Sequence, residues 1–331
     1  MANKKYDFGT PSVANPTYAG ELALPYLTSA TASNSIEKGY VTVLSGIRNK
    51  AVLSSFTSDN PIVAASCGSS DTGNTSLSES VLTTTDVMVN EALCRGTLYP
   101  TWVASQMNGN RNGEPSDFID FAMSVVAKKS AEQLESAMYS GDSTLGKGFI
   151  ATNGTLNSAN IKAAQILAGA TSNFVRLNGG SATTNTNIDN ALASVYNKAV
   201  ETCAGILAKQ DVQFLLSPKM YGLFLQFLAD KGGSGIGLFM DRGVSADFSS
   251  VSYLGIAVKM AYGMPDDAII LGCVSNMFAG TNLGTDATEV QVIPRYQYDG
   301  SDFIQLIMRF GWGVQVGVNT DIILGSTVNV T

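Results

Sequence analysis

The chain has 331 residues, 45% hydrophobic and 14% charged, enough for two or three compact domains or one elaborated one, and it is not disordered as a whole. A net charge of −7 argues against a protein that holds nucleic acid by a strongly basic surface, though not against loose contact with DNA. Histidine is absent, which removes the commonest general base and the commonest metal ligand and leaves any catalysis to carboxylates, Lys, Tyr or Cys.

The opening MANKKYDFGT lacks the apolar stretch of a signal peptide, and no apolar run approaches the ~18–20 residues of a membrane span. Residues 1–36, with Pro11, Pro16 and Pro25, show no sustained period and read as an extended arm, ordered only where it lies on something else. Val41, Val43 and Ile47 then alternate as a strand that continues through Ala51-Val52-Leu53. Residues 57–78 are rich in Ser, Thr, Asp, Asn and Gly and read as loop. Val81, Thr83, Thr85, Val87 and Val89 alternate in a second run, with Leu82, Thr84, Asp86 and Met88 on its other face. Together these predict a long hairpin with a polar end. Two strands alone are marginal in water, so the hairpin needs a partner surface in this chain or in another copy.

The spacing predicts a long helix over 117–140, with Ser116 as N-cap after Pro115 and with Asp117 and Asp120 in the dipole-favoured first turn. Phe118, Ala122, Val125, Val126, Leu134 and Met138 form its apolar face, and Gly141 suits the left-handed position that ends it. About 24 residues make a rod of roughly 36 Å, twice the usual helix. Residues 157–168 are a short helical candidate and 172–187 a loop.

The next third reads as a compact α/β unit. Thr186 and Asp189 resemble a capping box ahead of a helix bearing Ile188, Leu192, Val195, Ala199 and Ile206. A strand over 212–216 leads to Ser217-Pro218, a helix start, and that helix runs to about Lys231 before Gly232. Residues 232–250 read as loop, and strands over 255–260 and 268–274 flank a turn at 264–267. The C-terminal part is β: one strand over 289–298, interrupted by Pro294, a type I′ turn at Asp299-Gly300, and a return strand. On that return strand Ile304, Leu306, Met308, Phe310, Trp312, Val314, Val316 and Val318 alternate with a largely polar or glycine face. About 16 residues span roughly 50 Å. The long strand and the long helix match in scale and are expected to pack on each other.

Motifs that carry chemistry are weak. Residues 141–148 approach the phosphate-loop pattern, but Gly148 replaces the Mg²⁺-holding Ser or Thr and the segment follows a helix. GGSGIG at 232–237 lacks dinucleotide-binding spacing. Asp266-Asp267 is either a carboxylate pair or, after Pro265, an ordinary turn, the reading favoured here. Phe310 and Trp312 fit a base-stacking platform less well than a core face. Cys67, Cys94, Cys203 and Cys273 have no metal or disulfide spacing and read as reduced thiols of a cytosolic setting. No catalytic, cofactor-binding or metal-binding residue is assigned, and the chain does not read as an enzyme.

A long hairpin, a long helix, a compact α/β unit and a returning long β hairpin, in that order, resemble the HK97-type major capsid protein of tailed bacteriophages. Residues 82–102 (LTTTDVMVNEALCRGTLYPTW), 131–142 (AEQLESAMYSGD), 253–272 (YLGIAVKMAYGMPDDAIILG) and 276–293 (NMFAGTNLGTDATEVQVI) resemble the branch of Bacteroidetes-infecting, crAss-like phages. The resemblance implies an α+β fold with an N-terminal arm (1–36), an E-loop (37–95), a P-domain with its spine helix (96–155, helix 117–140), an A-domain (156–279), a P-domain β hairpin (280–318) and a C-terminal strand returning to the A-domain (319–331). It further implies hexamers and pentamers that tile an icosahedral shell around double-stranded DNA, with the E-loop and arm lying over neighbouring subunits. Portal, scaffold and decoration proteins are the implied partners, with no sequence-specific DNA binding, no membrane and no cofactor. The sequence opens without a charged helical prefix, so a separate scaffold is expected, or a prefix outside this sequence. No Lys lies between Thr57 and Ser78, so no covalent link from the hairpin tip is expected. An encapsulin-type compartment shell, which shares the fold, is the alternative; a soluble enzyme or sugar-binding β protein is a third class.

Overall fold

The computed structural model describes residues 17–19, 34–59, 74–94, 115–142, 145–150, 173–231, 251–282, 289–295, 298–301 and 303–327. Its N-terminal elements are β1 (Thr17–Ala19), α1 (Asn34–Glu37), β2 (Thr42–Leu44), β3 (Lys50–Asp59), β4 (Asn74–Thr83), β5 (Thr85–Cys94) and the helix α2 (Pro115–Ser140). Then come β6 (Phe174–Arg176), α3 (Ile188–Cys203), β7 (Val212–Leu216), α4 (Pro218–Lys231), β8 (Ser252–Tyr253), β9 (Ile256–Met260) and β10 (Ala268–Cys273). The last are β11 (Met277–Thr281), β12 (Glu289–Pro294), β13 (Phe303–Val316) and β14 (Ile322–Ser326). The helical candidate at 157–168 and the loop at 232–250 lie outside the described residues.

The first sheet is organised by β13. On one side β5 pairs antiparallel along it, from Phe303↔Cys94 to Trp312↔Thr85. On the other side β12 and β11 follow one another, covering Ile304–Arg309 and Trp312–Val316. Between them Asn282 Oδ1 accepts the Gly311 N–H, which the interruption would otherwise leave unpaired in a buried place. β2 adds parallel to β11 and β1 antiparallel to β12, so part of the expected arm does lie on a sheet edge. The even residues of β13 are buried as the alternation predicts, but the strand ends at Val316 rather than Val318.

Four expectations on this side are corrected. The run from Val81 to Val89 is two strands, not one. The break is Thr84, whose N–H and hydroxyl both donate to the Asn49 carbonyl, so β4 pairs with β3 whereas β5 turns to β13. The strand predicted across Val41–Leu53 is likewise two, because residues 45–49 lie between β2 and β3 and Gly46 is left-handed (φ +78°). The polar 57–78 segment is not all loop, since backbone pairing carries the hairpin out to Asp59↔Asn74. Finally, β12 stops at Pro294 and the connection is not a two-residue type I′ turn. Asp299 lacks the positive φ that such a turn needs; its N–H instead donates to the Arg295 carbonyl four residues back, and the two residues form an ion pair.

The 26 residues of α2 are about 39 Å of rod. The helix begins at Pro115, so Ser116 lies within the first turn rather than capping it, as fits proline's preference for the first helical position. Met123, Val126, Ala127, Leu134, Ala137 and Met138 are buried in one cluster with Ile304, Leu306, Met308, Phe310, Trp312 and Val314 of β13, which is the packing expected between rod and strand. Val125 is exposed instead, one residue off that face. Gly141 ends the helix at φ +69°, its N–H on the Ala137 carbonyl.

The second sheet has the order β6-β14-β10-β7-β9-β8. Alternate residues serve two cores. Phe174, Leu215, Ala268, Ile270, Ile322 and Leu324 join the cluster under α2, and Phe214, Leu216, Ile269, Leu271, Cys273 and Ile323 pack beneath α3 and α4. The helix start at Ser217-Pro218 forms as predicted, with Ser217 Oγ accepting the Met220 N–H. The capping box at Thr186 and Asp189 does not. Asn187 occupies the cap without a side-chain cap bond, because its Oδ1 accepts the Thr184 N–H, and Asp189 receives the Tyr253 hydroxyl at 2.9 Å. The segment 172–187 is not all loop: three residues become β6 by pairing parallel to β14, a tertiary partner that no local pattern announces.

Candidate interaction surface

The hairpin β3–β4 leaves the body of the molecule as ten paired residues on each strand, about 33 Å of ribbon. Its register places Val52 opposite Val81, Ser54 opposite Glu79 and Phe56 opposite Leu77, so these six share one face. Val52, Phe56, Leu77 and Val81 are 58%, 75%, 52% and 45% exposed. The opposite face is small and polar towards the tip, where Ser55 and Ser78 hydroxyls meet at 2.6 Å, and is anchored at its base by fully buried Leu82. A second anchor is Gly313 of β13. A Cβ there would stand 2.3 Å from the Thr83 carbonyl oxygen, so only glycine lets the hairpin base cross so closely.

This surface is built for contact rather than chemistry. Two apolar cross-strand pairs on one face of a ribbon stabilise it little while exposed, and burying them against a partner removes large side chains from water at roughly 25 cal/mol per Å². The hairpin's need of a partner surface is legible in the sequence, but the stripe is not. Its signal was the pair of four-residue spacings, Val52 to Phe56 and Leu77 to Val81, which only the register brings together.

The structure separates the other candidates. In the phosphate-loop-like segment Asp142 and Gly146 exchange backbone hydrogen bonds, and a Cβ on Gly148 would lie 2.2 Å from the Gly141 nitrogen, so Gly148 answers to close packing against the helix end. Asp267 does not pair with Asp266 as an acid dyad: it takes the turn's left-handed position (φ +60°), and both its carboxylate oxygens meet Lys219 Nζ at 3.1 and 3.2 Å. Phe310 and Trp312 are core residues, each 2% exposed. Cys203 and Cys273 are thiols; burial pushes Cys273 up to about 11 and raises Cys203 as well. Burial, then the bond to Asp189, raises the Tyr253 phenol, whereas hydrogen bonds from Ser275 lower the Asp211 carboxyl. Among the described residues no group of three His, Cys, Asp or Glu could hold a metal, and no helix is long and apolar enough to cross a membrane.

No family model and no curated protein matches the chain. Solved structures do. The capsid of a native GTA particle aligns with TM-score 0.54 at 15% identity, over 90% of this chain and 90% of that one. The capsid of Cyanophage P-SCSP1u aligns with TM-score 0.51 at 12% identity, over 88% and 87%. The encapsulin of a holo-SrpI complex from Synechococcus elongatus aligns with TM-score 0.51 at 10% identity, over 91% and 90%. Shared over nearly the full length of each chain, the architecture is the α+β HK97-like fold.

Proposed function

We propose that the chain is a major capsid protein that assembles as hexamers and pentamers into an icosahedral phage head enclosing double-stranded DNA. The observation that carries this reading is the β3–β4 hairpin, whose apolar stripe has no described partner within the chain, on a fold shared with shells built from many copies. Many modest contacts of this kind, closed by symmetry, give a strong container. The net charge of −7 fits a container filled by a separate motor rather than by electrostatic condensation. The protein then resides in the virion after assembly in the host cytoplasm, and it works as a wall rather than as an enzyme.

The proposed division follows the expected ranges: arm 1–36, E-loop 37–95, P-domain 96–155 and 280–318, A-domain 156–279, with 319–331 returning to it. Within 37–95 the projecting part is β3–β4, since β2 and β5 belong to the first sheet. Kinship with the Bacteroidetes-infecting, crAss-like branch is part of the same proposal, resting on the four sequence segments quoted above. So are portal, scaffold and decoration proteins as partners.

The encapsulin neighbour favours a second reading, a compartment shell. Electron microscopy of the purified chain across a range of concentrations, and of native particles, decides. Closed shells with DNA and one distinct portal vertex support the head; closed shells with protein cargo support the compartment. A monomer at every concentration overturns both. Denaturing gels of mature particles should show a single band and no covalent ladder, because no Lys lies between Thr57 and Ser78.

A further inference from the structure

We propose that Glu135 is a positioning residue whose buried carboxylate fastens the segment 34–41 and the turn at 261–264 to the middle of the structure, and so fixes the two sheets in the relation that assembly needs; the last clause rests on the shell reading above.

Glu135 lies in the last two turns of α2, five residues before its end at Ser140, and is 1% exposed. Carboxylates are almost never so buried unless they are paired. Among the described residues no cation makes an ion pair with it. Its charge is met by neutral donors from two other parts of the chain. Ser35 gives its N–H to Oε2 at 3.0 Å and its hydroxyl to Oε1, and Gly263 gives its N–H to Oε1 at 3.5 Å.

Proton counting fixes the direction of the network. A carboxylate only accepts, and the Ser35 hydroxyl has one proton, which goes to Glu135. The Tyr139 hydroxyl, 2.9 Å from Ser35 Oγ and one helical turn beyond Glu135, must therefore donate to Ser35. Tyr139 is fully buried and Ser35 is 0% exposed, so every member depends on the others for its partners. Burial, more than the neighbouring carboxylate, holds Tyr139 un-ionised.

Each tie is anchored in its own element. Tyr40 N–H donates to the Ser35 carbonyl at 2.8 Å, which folds 35–40 into a compact hook, and Tyr40 and Val41 are buried in the same core. The Gly263 turn belongs to the second sheet, because Ala261 N–H donates to the Leu216 carbonyl at 2.9 Å. The turn rests directly on helix backbone. A Cβ on Gly263 would lie 2.2 Å from the Glu135 carbonyl oxygen. One residue thus binds the hook through its side chain and bears the turn against its main chain. If the hook leaves, two of the three donors leave with it, and the helix keeps an unsatisfied carboxylate in its core. The Glu135→Gln variant keeps the shape but sets an amide NH₂ against an N–H or O–H donor on one side.

The test uses the full chain, with backbone hydrogen exchange on the unassembled protein and electron microscopy of assembly reactions. Glu135→Gln and Ser35→Ala should each raise exchange at least tenfold across 35–41, and Glu135→Gln should also raise it across 261–264. Leu271→Ala, which weakens the core beneath α3 and α4, should leave 35–41 unchanged. Glu135→Gln should cut the yield of closed shells at least tenfold. If Glu135→Gln does not fold, Ser35→Ala decides alone. Unchanged exchange at 35–41 in a folded variant overturns the joint. Raised exchange with normal shell yield and diameter overturns its role in assembly. Wild-type protein that never assembles overturns the shell reading, and the exchange arm still decides the joint.

Discussion

The second sheet and the β3–β4 hairpin are both made of paired strands, yet they differ in where their apolar side chains lie. Every residue of β10 is buried, with Ile270 facing one core and Leu271 the other. In the hairpin Val52, Phe56, Leu77 and Val81 are exposed on one face, and only its base, at Leu82 on the other face, is fully buried. The second sheet draws its stability from this chain, through helices that cover it. The hairpin draws its pairing and a buried base from this chain, and its apolar stripe stays in water in the single chain. Stability and interaction are therefore separable by position.

The largest effect should come from the element between the sheets. Val126→Pro removes a buried side chain and breaks α2, at a cost of about 3 kcal/mol or more, read by denaturant unfolding. Particles should be lost with it, and normal particles from that variant would show that the helix does not organise the fold. The comparison itself is sharpened by a matched pair. Ile270→Ala should destabilise the unassembled protein by about 2–5 kcal/mol. Phe56→Ala should change it by less than about 0.5 kcal/mol, as an exposed substitution, while sharply lowering shell formation in light scattering. Equal effects of the two on unfolding would erase the distinction.

A smaller effect of opposite sign is expected at the edge of the second sheet. Leu254 and Gly255, both with positive φ, make the two-residue turn between β8 and β9, and Leu254 is half exposed there. Asparagine tolerates that conformation better, so Leu254→Asn should stabilise the protein by up to about 1 kcal/mol in thermal unfolding. The smallest effect is linked to pH. Hydrogen bonds from Ser275 lower the Asp211 carboxyl below its unfolded value, so its contribution is present above the ordinary carboxylate range and lost as pH falls through the folded value. Asp211→Asn should lower the melting temperature slightly at neutral pH, and the difference should vanish in acid. A difference that grows in acid would reverse the assignment.

Much of the fold was legible because its longest elements carry their period openly. The eight even positions from Ile304 to Val318 and the apolar face of α2 are local signals of great length, and Ser217-Pro218 marks a helix start by backbone chemistry alone. What escaped was set by distant partners. Thr84 looks like any other member of an alternating run, and only its bonds to Asn49 split that run. Residues 174–176 become a strand because β14 lies beside them. The exposed stripe needed a register, and Glu135 needed Ser35, 100 positions away, before its burial made sense.

The pairing of β13 has a further consequence in time. Its partner β5 ends at Cys94, more than two hundred positions earlier, and the second sheet likewise closes on β14 at 322–326. Contacts so far apart in sequence form slowly, and during synthesis they wait for the chain to emerge. Neither sheet is complete until the ribosome has passed residue 316. The hairpin, though made early, has no rigid base until then, since Gly313 and β13 supply it. A nascent chain thus carries the exposed stripe on a ribbon without its base, and the hairpin is seated only when folding is nearly finished.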